Sequence, residues 1–323
     1  MTALAELPST ESLNRVLRGL LASSTGEVVT RKSNDWSSSH PSEIVTFRSG
    51  GDRLLLLLCK YQRAEGNRGH GHRSGVAYEA TVYEQVLAPS ELSAPRFYGT
   101  HRDPSTGAAW LVIAFVDGAH CADEVPEFDD ALIAAARWAG HFQAWAETGA
   151  RWENRRFLIA YDTEYYAQWA RRTASFTAPW HDQLPWLPAL CRRAEDVAEQ
   201  QATVPPTIIH GEFTPSNILA DGATVYPVDW ESAAIGMGEI DLVALVHQWP
   251  SALVARCEDA YIRARWPEGP PADLSRRFDL ARLYWEMRWL GDRPEWLAQP
   301  RLRARMVDLR AIGARLGLVE AGE

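Results

Sequence analysis

Two short stretches carry the residues best suited to chemistry. His210-Gly211-Glu212-Phe213-Thr214-Pro215-Ser216-Asn217 is followed by Val228-Asp229-Trp230-Glu231, which sets a carboxylate, a carboxamide and a second carboxylate on neighbouring connections. A carboxylate can orient a hydroxyl and take its proton. A carboxamide and a carboxylate offer hard oxygens to a Mg2+ ion, which on nucleotide phosphates takes only one or two protein ligands. Phosphoryl transfer needs that set of groups. Taken singly, Asn217 reads as a turn residue and Asp229 as a cap before Trp230; the chemical reading comes from their grouping with His210-Gly211-Glu212.

The elements that must position these groups follow from patterning. Ser9-Thr10-Glu11 caps a helix whose Leu13, Val16, Leu17, Leu20 and Leu21 form one apolar face. Strands are expected at 27–33, 43–47 and 53–61, with Ser49-Gly50-Gly51-Asp52 as a hairpin turn. A glycine-rich basic loop, 63–75, leads into a helix over 76–87, and two more strands are expected over 96–101 and 110–116. From Glu127 onward the chain reads as mostly helical, over 131–148, 163–173, 187–201, 274–289 and 301–316. Ile208-Ile209 and Val225-Tyr226 are expected to form a small buried ribbon whose turn presents the polar residues. Asp117-Gly118 marks a boundary between a β-rich lobe, residues 1–116, and an α-rich lobe, residues 117–323.

The string HGEFTPSNIL, then VDWE, then Gly238-Glu239-Ile240-Asp241-Leu242, resembles the aminoglycoside phosphotransferase and choline kinase-like superfamily. That family's pattern is HGDxxxxN, a hydrophobic strand ending in Asp before Trp or Phe, and an aspartate before Leu. The resemblance implies an α+β, bilobal protein-kinase-like fold: a small antiparallel β-sheet N-lobe and a larger, mostly helical C-lobe. It implies ATP, or GTP, with Mg2+ as cofactors, and a small-molecule hydroxyl as acceptor, in an antibiotic-modifying or biosynthetic reaction. Glu212 stands where the family has its catalytic Asp, and Asn217 and Asp229 where it binds Mg2+. Asp241 would brace the catalytic loop through backbone N–H groups, with His210 as a second brace; no role is assigned to Glu231.

Lys60, at the end of a strand of leucines, would bind the nucleotide's phosphates and pair with a helix glutamate. Glu79 and Glu84 are the candidates, and Glu79 lies on the inward stripe with Val76, Val82, Tyr83 and Val86. The resemblance makes Trp110–Val116 the hinge, where the Ala114 C=O and Val116 N–H would read adenine. Ser37 and Ser38, in the glycine-free stretch Asn34–Pro41, would approach phosphate through hydroxyl and backbone N–H groups; an exposed serine-rich turn is the plainer alternative. Gly69-His70-Gly71-His72-Arg73-Ser74-Gly75 has Ser74 where a dinucleotide fingerprint needs glycine, so it is not one. Arg68 and Arg73 could still reach phosphate.

The acceptor is less legible. Trp285, Glu286 and Trp289 sit in a late helix where this family places substrate residues, and a carboxylate flanked by aromatics suits an ammonium or a sugar. The acidic run Asp117, Asp123, Glu124, Glu127, Asp129 and Asp130 follows the hinge and reads equally as a solvated face. The net charge of -9 over 323 residues argues against nucleic acid or an anionic membrane as partner. Four widely spaced cysteines, Cys59, Cys121, Cys191 and Cys257, and the lack of a basic n-region point to a cytoplasmic chain.

Glu at position 212 tests the reading. Its extra methylene overreaches by roughly 1–1.5 Å, and a misplacement of about 1 Å costs on the order of a hundredfold in rate. Basicity hardly changes, about 4.3 against 3.9. Geometry therefore decides between an active kinase and a nucleotide-binding pseudokinase or regulatory module, and the retention of both metal ligands favours the former.

Overall fold

The computed structural model describes residues 7–34, 40–50, 53–62, 74–104, 106–148, 155–294 and 302–320. They form two compact units: the first runs to Ala131 and takes in Ser216–Ser232, and the second holds Leu132–Pro215 and the chain from Ala233 onward.

In the first unit, helix α1 (Thr10–Leu20) is capped by Ser9, whose hydroxyl accepts from the Ser12 N–H at 3.2 Å. Its Leu13, Val16 and Leu17 pack on a five-stranded antiparallel sheet of order β1-β2-β3-β5-β4. The strands are β1 (Glu27–Ser33), β2 (Ser42–Arg48), β3 (Leu54–Tyr61), β4 (Phe97–Arg102) and β5 (Ala109–Ala114). Leu57, Cys59 and Tyr61 of β3 enter this core with Val45, Phe47, Trp110 and Val112. Side chains alternate along a strand, so Lys60 is presented on the opposite face. The Ser49 N–H closes the β2–β3 hairpin on the Arg53 C=O at 2.8 Å; Gly51 and Asp52 of the expected turn lie outside the described residues.

Helix α2 (Gly75–Val82) is shorter than the periodicity suggests, because the chain widens into a π-helical turn over Tyr83–Leu87 before Pro89. A second antiparallel sheet, of order β10-β9-β6, contains β6 (His120–Cys121), β9 (Ile218–Asp221) and β10 (Thr224–Pro227). This corrects the expected ribbon. Val225 pairs with Ala220, whereas Ile208 pairs with Ile235 of the second unit. Gly222, at φ +56, allows a tight local hairpin that a distant strand cannot match.

The second unit is mostly helical. Helices α4 (Thr163–Phe176), α5 (Trp186–Asp196), α6 (Ala198–Thr203), α7 (Glu239–Val246), α9 (Leu274–Asp292) and α10 (Leu302–Arg315) bury Trp169, Leu187, Leu190, Ile240, Leu283, Tyr284 and Leu309. The single helix expected over 187–201 is interrupted at Val197. A three-stranded sheet, β7 (Ile159–Ala160), β11 (Ala234–Gly236) and β8 (Thr207–Ile209), leads into the loop that carries Glu212. The α+β architecture is the one the resemblance implied. No helix among the described residues is long and apolar enough to cross a membrane, and the four cysteines are free thiols.

Helix α3 (Phe128–Glu147) begins in the first unit and runs through the second, where Gly140 lets it approach α8 (Ser251–Arg265) closely. A Cβ there would lie 2.6 Å from the Tyr261 carbonyl oxygen and 2.8 Å from the Ala264 Cβ, and a helix backbone does not yield as a side-chain tip does. Gly140→Ala should therefore destabilise. The gain of about 1 kcal/mol in helix propensity is outweighed by an overpacking cost of about 1–3 kcal/mol. A urea midpoint at or above wild type would contradict the close approach.

Candidate active site

The first unit contributes a cation held among carboxylates. Lys60 Nζ is 2.7 Å from Glu79 Oε2 and 2.6 Å from Asp229 Oδ1. Glu79 is 2% exposed, and its second oxygen accepts from the Trp230 N–H at 3.3 Å, which locks helix α2 to the residue after Asp229. Glu84 is exposed on the far side of the helix. Burial works to lower the Lys60 pKa, but Glu79, Asp229 and Glu231 outweigh it and hold the ammonium above its ordinary range. Glu231 is buried, with Oε2 3.5 Å from His40 Nε2, and its C=O accepts from the Ser74 N–H at 3.0 Å.

Asp229 and Asn217 are brought to one end of one ribbon. Ile218 pairs with Pro227 across β9 and β10, and the next bond outward is Val228 N–H to the Asn217 C=O at 2.9 Å. Asn217 ends a 3-10 turn, Pro215–Asn217, that precedes β9. Asp229 has φ +65. This left-handed conformation is rare for a residue with a Cβ, and Asp and Asn tolerate it best. Such strain, about 1–3 kcal/mol, gathers where geometry matters for function. The fit to Mg2+ rests on donor chemistry: hard oxygens of Asn217 and Asp229 beside a cluster in which three carboxylates face one ammonium. Among the described residues no group of three or more His, Cys, Asp or Glu could hold a metal ion by itself. A site completed by phosphate and water oxygens does not need one.

At the end of β5, the Ala114 N–H donates to the Arg96 C=O at 2.8 Å, the Phe115 N–H to the Leu56 C=O at 3.0 Å, and the Val116 C=O accepts from the Ala119 N–H at 3.4 Å. These bonds do not use the Ala114 C=O or the Val116 N–H, the two groups expected from the resemblance to read adenine. Ser37 and Ser38 lie outside the described residues, as do Arg68, His70, His72 and Arg73.

In the second unit, Asp241 organises the loop after β8. Its carboxylate accepts from the His210 N–H at 2.8 Å, the Gly211 N–H at 3.0 Å and Gln143 Nε2 at 3.3 Å. Gly211 has φ +82, open to glycine at no steric cost. Buried His210 turns its Nδ1 to the Glu212 N–H at 3.3 Å and packs edge-on against Phe213. Gln143 is held by Tyr261, at 2.5 Å, and Tyr261 by Arg265, which pairs with Glu147 at 2.6 Å.

The Glu212 carboxylate meets the Arg288 guanidinium in a direct ion pair, with the two side chains 13% and 17% exposed. Arg288 lies over the Trp285 ring, 5.4 Å from its centroid. Burial pulls its pKa down, but Glu212, followed by Tyr284, Tyr165 and Tyr161, outweighs that and raises it. The sequence reading passed over Arg288. Its place three residues after Trp285 was visible, but a partner 76 residues away leaves no local trace. Glu286, on the same helix, is 2% exposed and pairs with Arg305 at 2.9 Å and His247 at 3.4 Å; Trp289 lies beneath the Arg305 guanidinium. The Glu286 carboxylate is thus already engaged within the unit.

Burial pushes the Asp241 carboxyl up to about 7, against the pull of its backbone donors. A folded value above the unfolded one means that the native state holds the proton more tightly. The stability this contributes is complete below about pH 4, and it is lost as pH rises through about 7. Relative to Asp241→Asn, wild type should lose stability across that window in urea unfolding. A difference that stays flat with pH would contradict it.

Residues 68–274 match the family described as the phosphotransferase enzyme family. No curated protein matches the sequence. Among solved structures, the macrolide 2′-phosphotransferase of Brachybacterium faecium is 16% identical with a TM-score of 0.56, over 97% of this chain and 99% of that one. The choline kinase LicA of Streptococcus pneumoniae is 12% identical with a TM-score of 0.59, over 93% and 98%. The GDP complex of a wild-type aminoglycoside 2′-phosphotransferase-IIIa is 14% identical with a TM-score of 0.55, over 96% and 100%. At these identities the likeness is one of fold. The family match spans the greater part of the sequence and takes in Glu79, the Glu212 loop, the Asn217–Asp229 ribbon and Asp241; the chain belongs to the phosphotransferase enzyme family.

Proposed function

We propose that this protein transfers the γ-phosphoryl group of ATP, or GTP, to a hydroxyl of a small molecule such as an aminoglycoside-like compound, a sugar or an amino alcohol. The observation that carries the reading is Lys60 held between Glu79 and Asp229, with Asn217 at the same ribbon end as Asp229. The Lys60 ammonium takes the nucleotide's α- and β-phosphates, and Glu79 keeps it aimed. Asn217 and Asp229 would hold Mg2+, which would supply neutralisation of the charge that develops on the transferring phosphoryl.

Glu212 orients the acceptor hydroxyl and receives its proton. The new bond forms between the acceptor oxygen and the γ-phosphorus as the bond to the β–γ bridging oxygen breaks, and ADP or GDP leaves. Asp241 and His210 support this by fixing the backbone on which Glu212 stands. The role is antibiotic-modifying or biosynthetic. The reaction is placed in the cytoplasm, where the nucleotide is supplied and thiols stay reduced.

Glu212→Gln keeps the shape of the side chain and removes its basicity. It should lower kcat by about 10²–10⁴-fold while leaving the KM for ATP nearly unchanged. The measurement is ADP release with acceptors drawn from aminoglycosides, sugars, nucleosides and amino alcohols. ATP binding without transfer to any of these would sink the proposal in favour of a regulatory nucleotide-binding module. Asp229→Asn tolerates the same left-handed backbone but loses a metal-binding charge. It should raise the Mg2+ concentration needed for half-maximal transfer and cut the rate by about a hundredfold or more. An unchanged Mg2+ titration would remove Asp229 from the metal site.

A further inference from the structure

The geometry points to Arg288 as the positioning residue that makes a glutamate workable at position 212. The inference rests on the proposed phosphoryl transfer, with Glu212 as the group that meets the acceptor hydroxyl. A glutamate has one more rotatable bond than an aspartate, and so one more way to miss. The loop fixes the backbone of Glu212, through His210 Nδ1 on its N–H and the Thr214 N–H on its C=O at 2.8 Å. Backbone bonds cannot choose a rotamer for the longer side chain. The ion pair from Arg288 Nη2 to Glu212 Oε1 does so, because it favours the rotamers that hold one carboxylate oxygen beside the guanidinium.

Arg288 is itself held in place. Its guanidinium lies over Trp285, and Tyr284, Tyr165 and Tyr161 are near enough to act on its charge. Tyr161 and Tyr165 are stacked with centroids 3.8 Å apart, and the Tyr165 and Tyr284 hydroxyls are 3.2 Å apart. Helix α9 is pinned on both sides of Arg288. Thr173 Oγ1 donates to the Met287 C=O at 2.8 Å, and Arg172 Nε donates to the Gly291 C=O at 2.7 Å. A planar, always-charged fork on a fixed helix is the donor best suited to set a carboxylate's orientation. Arg288 need not touch the acceptor; it acts through Glu212.

The test is a double-mutant cycle on the full chain, with Mg·ATP and water as acceptor, read as phosphate release, beside crystal structures of wild type and Arg288→Gln. Arg288→Gln should lower turnover of the folded protein by about a hundredfold, with the KM for ATP near wild type, and Arg288→Lys should recover part of the loss. Glu212→Asp draws the carboxylate back from the guanidinium by about 1–1.5 Å, so Arg288→Gln in that background should cost little more. In the Arg288→Gln crystal structure the Glu212 side chain should leave its wild-type rotamer. Losses that simply multiply between the two sites, or a Glu212 unmoved in the variant crystal, would overturn the inference. Absence of turnover in wild type with every acceptor would instead count against the phosphotransferase reading, and the crystal comparison would still decide what Arg288 does.

Discussion

An ammonium at the end of an apolar strand must be paired, and much of the first unit follows from that requirement. The alternation of β3 commits Leu57, Cys59 and Tyr61 to the core and turns Lys60 to the other face. Leaving that charge buried alone would cost several kcal/mol. Helix α2 answers with Glu79 and the segment just after β10 with Asp229. The pairing draws together elements far apart in sequence, and the Glu79 bond to the Trp230 N–H extends it into the backbone. The same electrostatics leaves a surplus of negative charge, with Glu79, Asp229 and Glu231 all acting on one ammonium.

Buried carboxylates behave differently according to what they meet. Asp241 meets backbone N–H groups and an amide, which orient it without cancelling its charge, so burial dominates and its proton affinity rises. Glu286 meets Arg305 and His247, yet burial still leads and its pKa is pushed up to about 7. Glu212 meets a guanidinium at a less buried position. One kind of side chain thus serves as a loop brace, as a structural ion-pair partner and as the reactive candidate, with surroundings rather than chemistry making the difference.

Most of the fold was legible because it is written in periodicity. The α1 face, the period-two strands and the long helices each announce themselves within about ten residues. The Glu212–Asn217–Asp229 spacing was legible because a loop and a strand fix it locally. What the sequence hid was non-local or conformational. The pairing of β9 with β10 depended on a tight turn at Gly222, the π-helical turn after α2 has no compositional mark, and the left-handed backbone of Asp229 could not be read from an Asp-Trp pair. Arg288 and Glu286 lie on one helix and look interchangeable in one dimension; only packing decides that one reaches Glu212 and the other Arg305.

The chain enters the first unit at Ser216 and leaves it after Ser232, so the ribbon bearing Asn217 and Asp229 is supplied from within the sequence of the second unit. No single cut separates the two units with their chemistry intact. A fragment ending at Ala131 keeps Lys60 and Glu79 but has lost the partner carboxylate Asp229, and the remainder keeps Glu212 and the β9–β10 ribbon without its neighbouring strand β6. Recombination at a lobe boundary would therefore yield two incomplete pieces rather than two working modules.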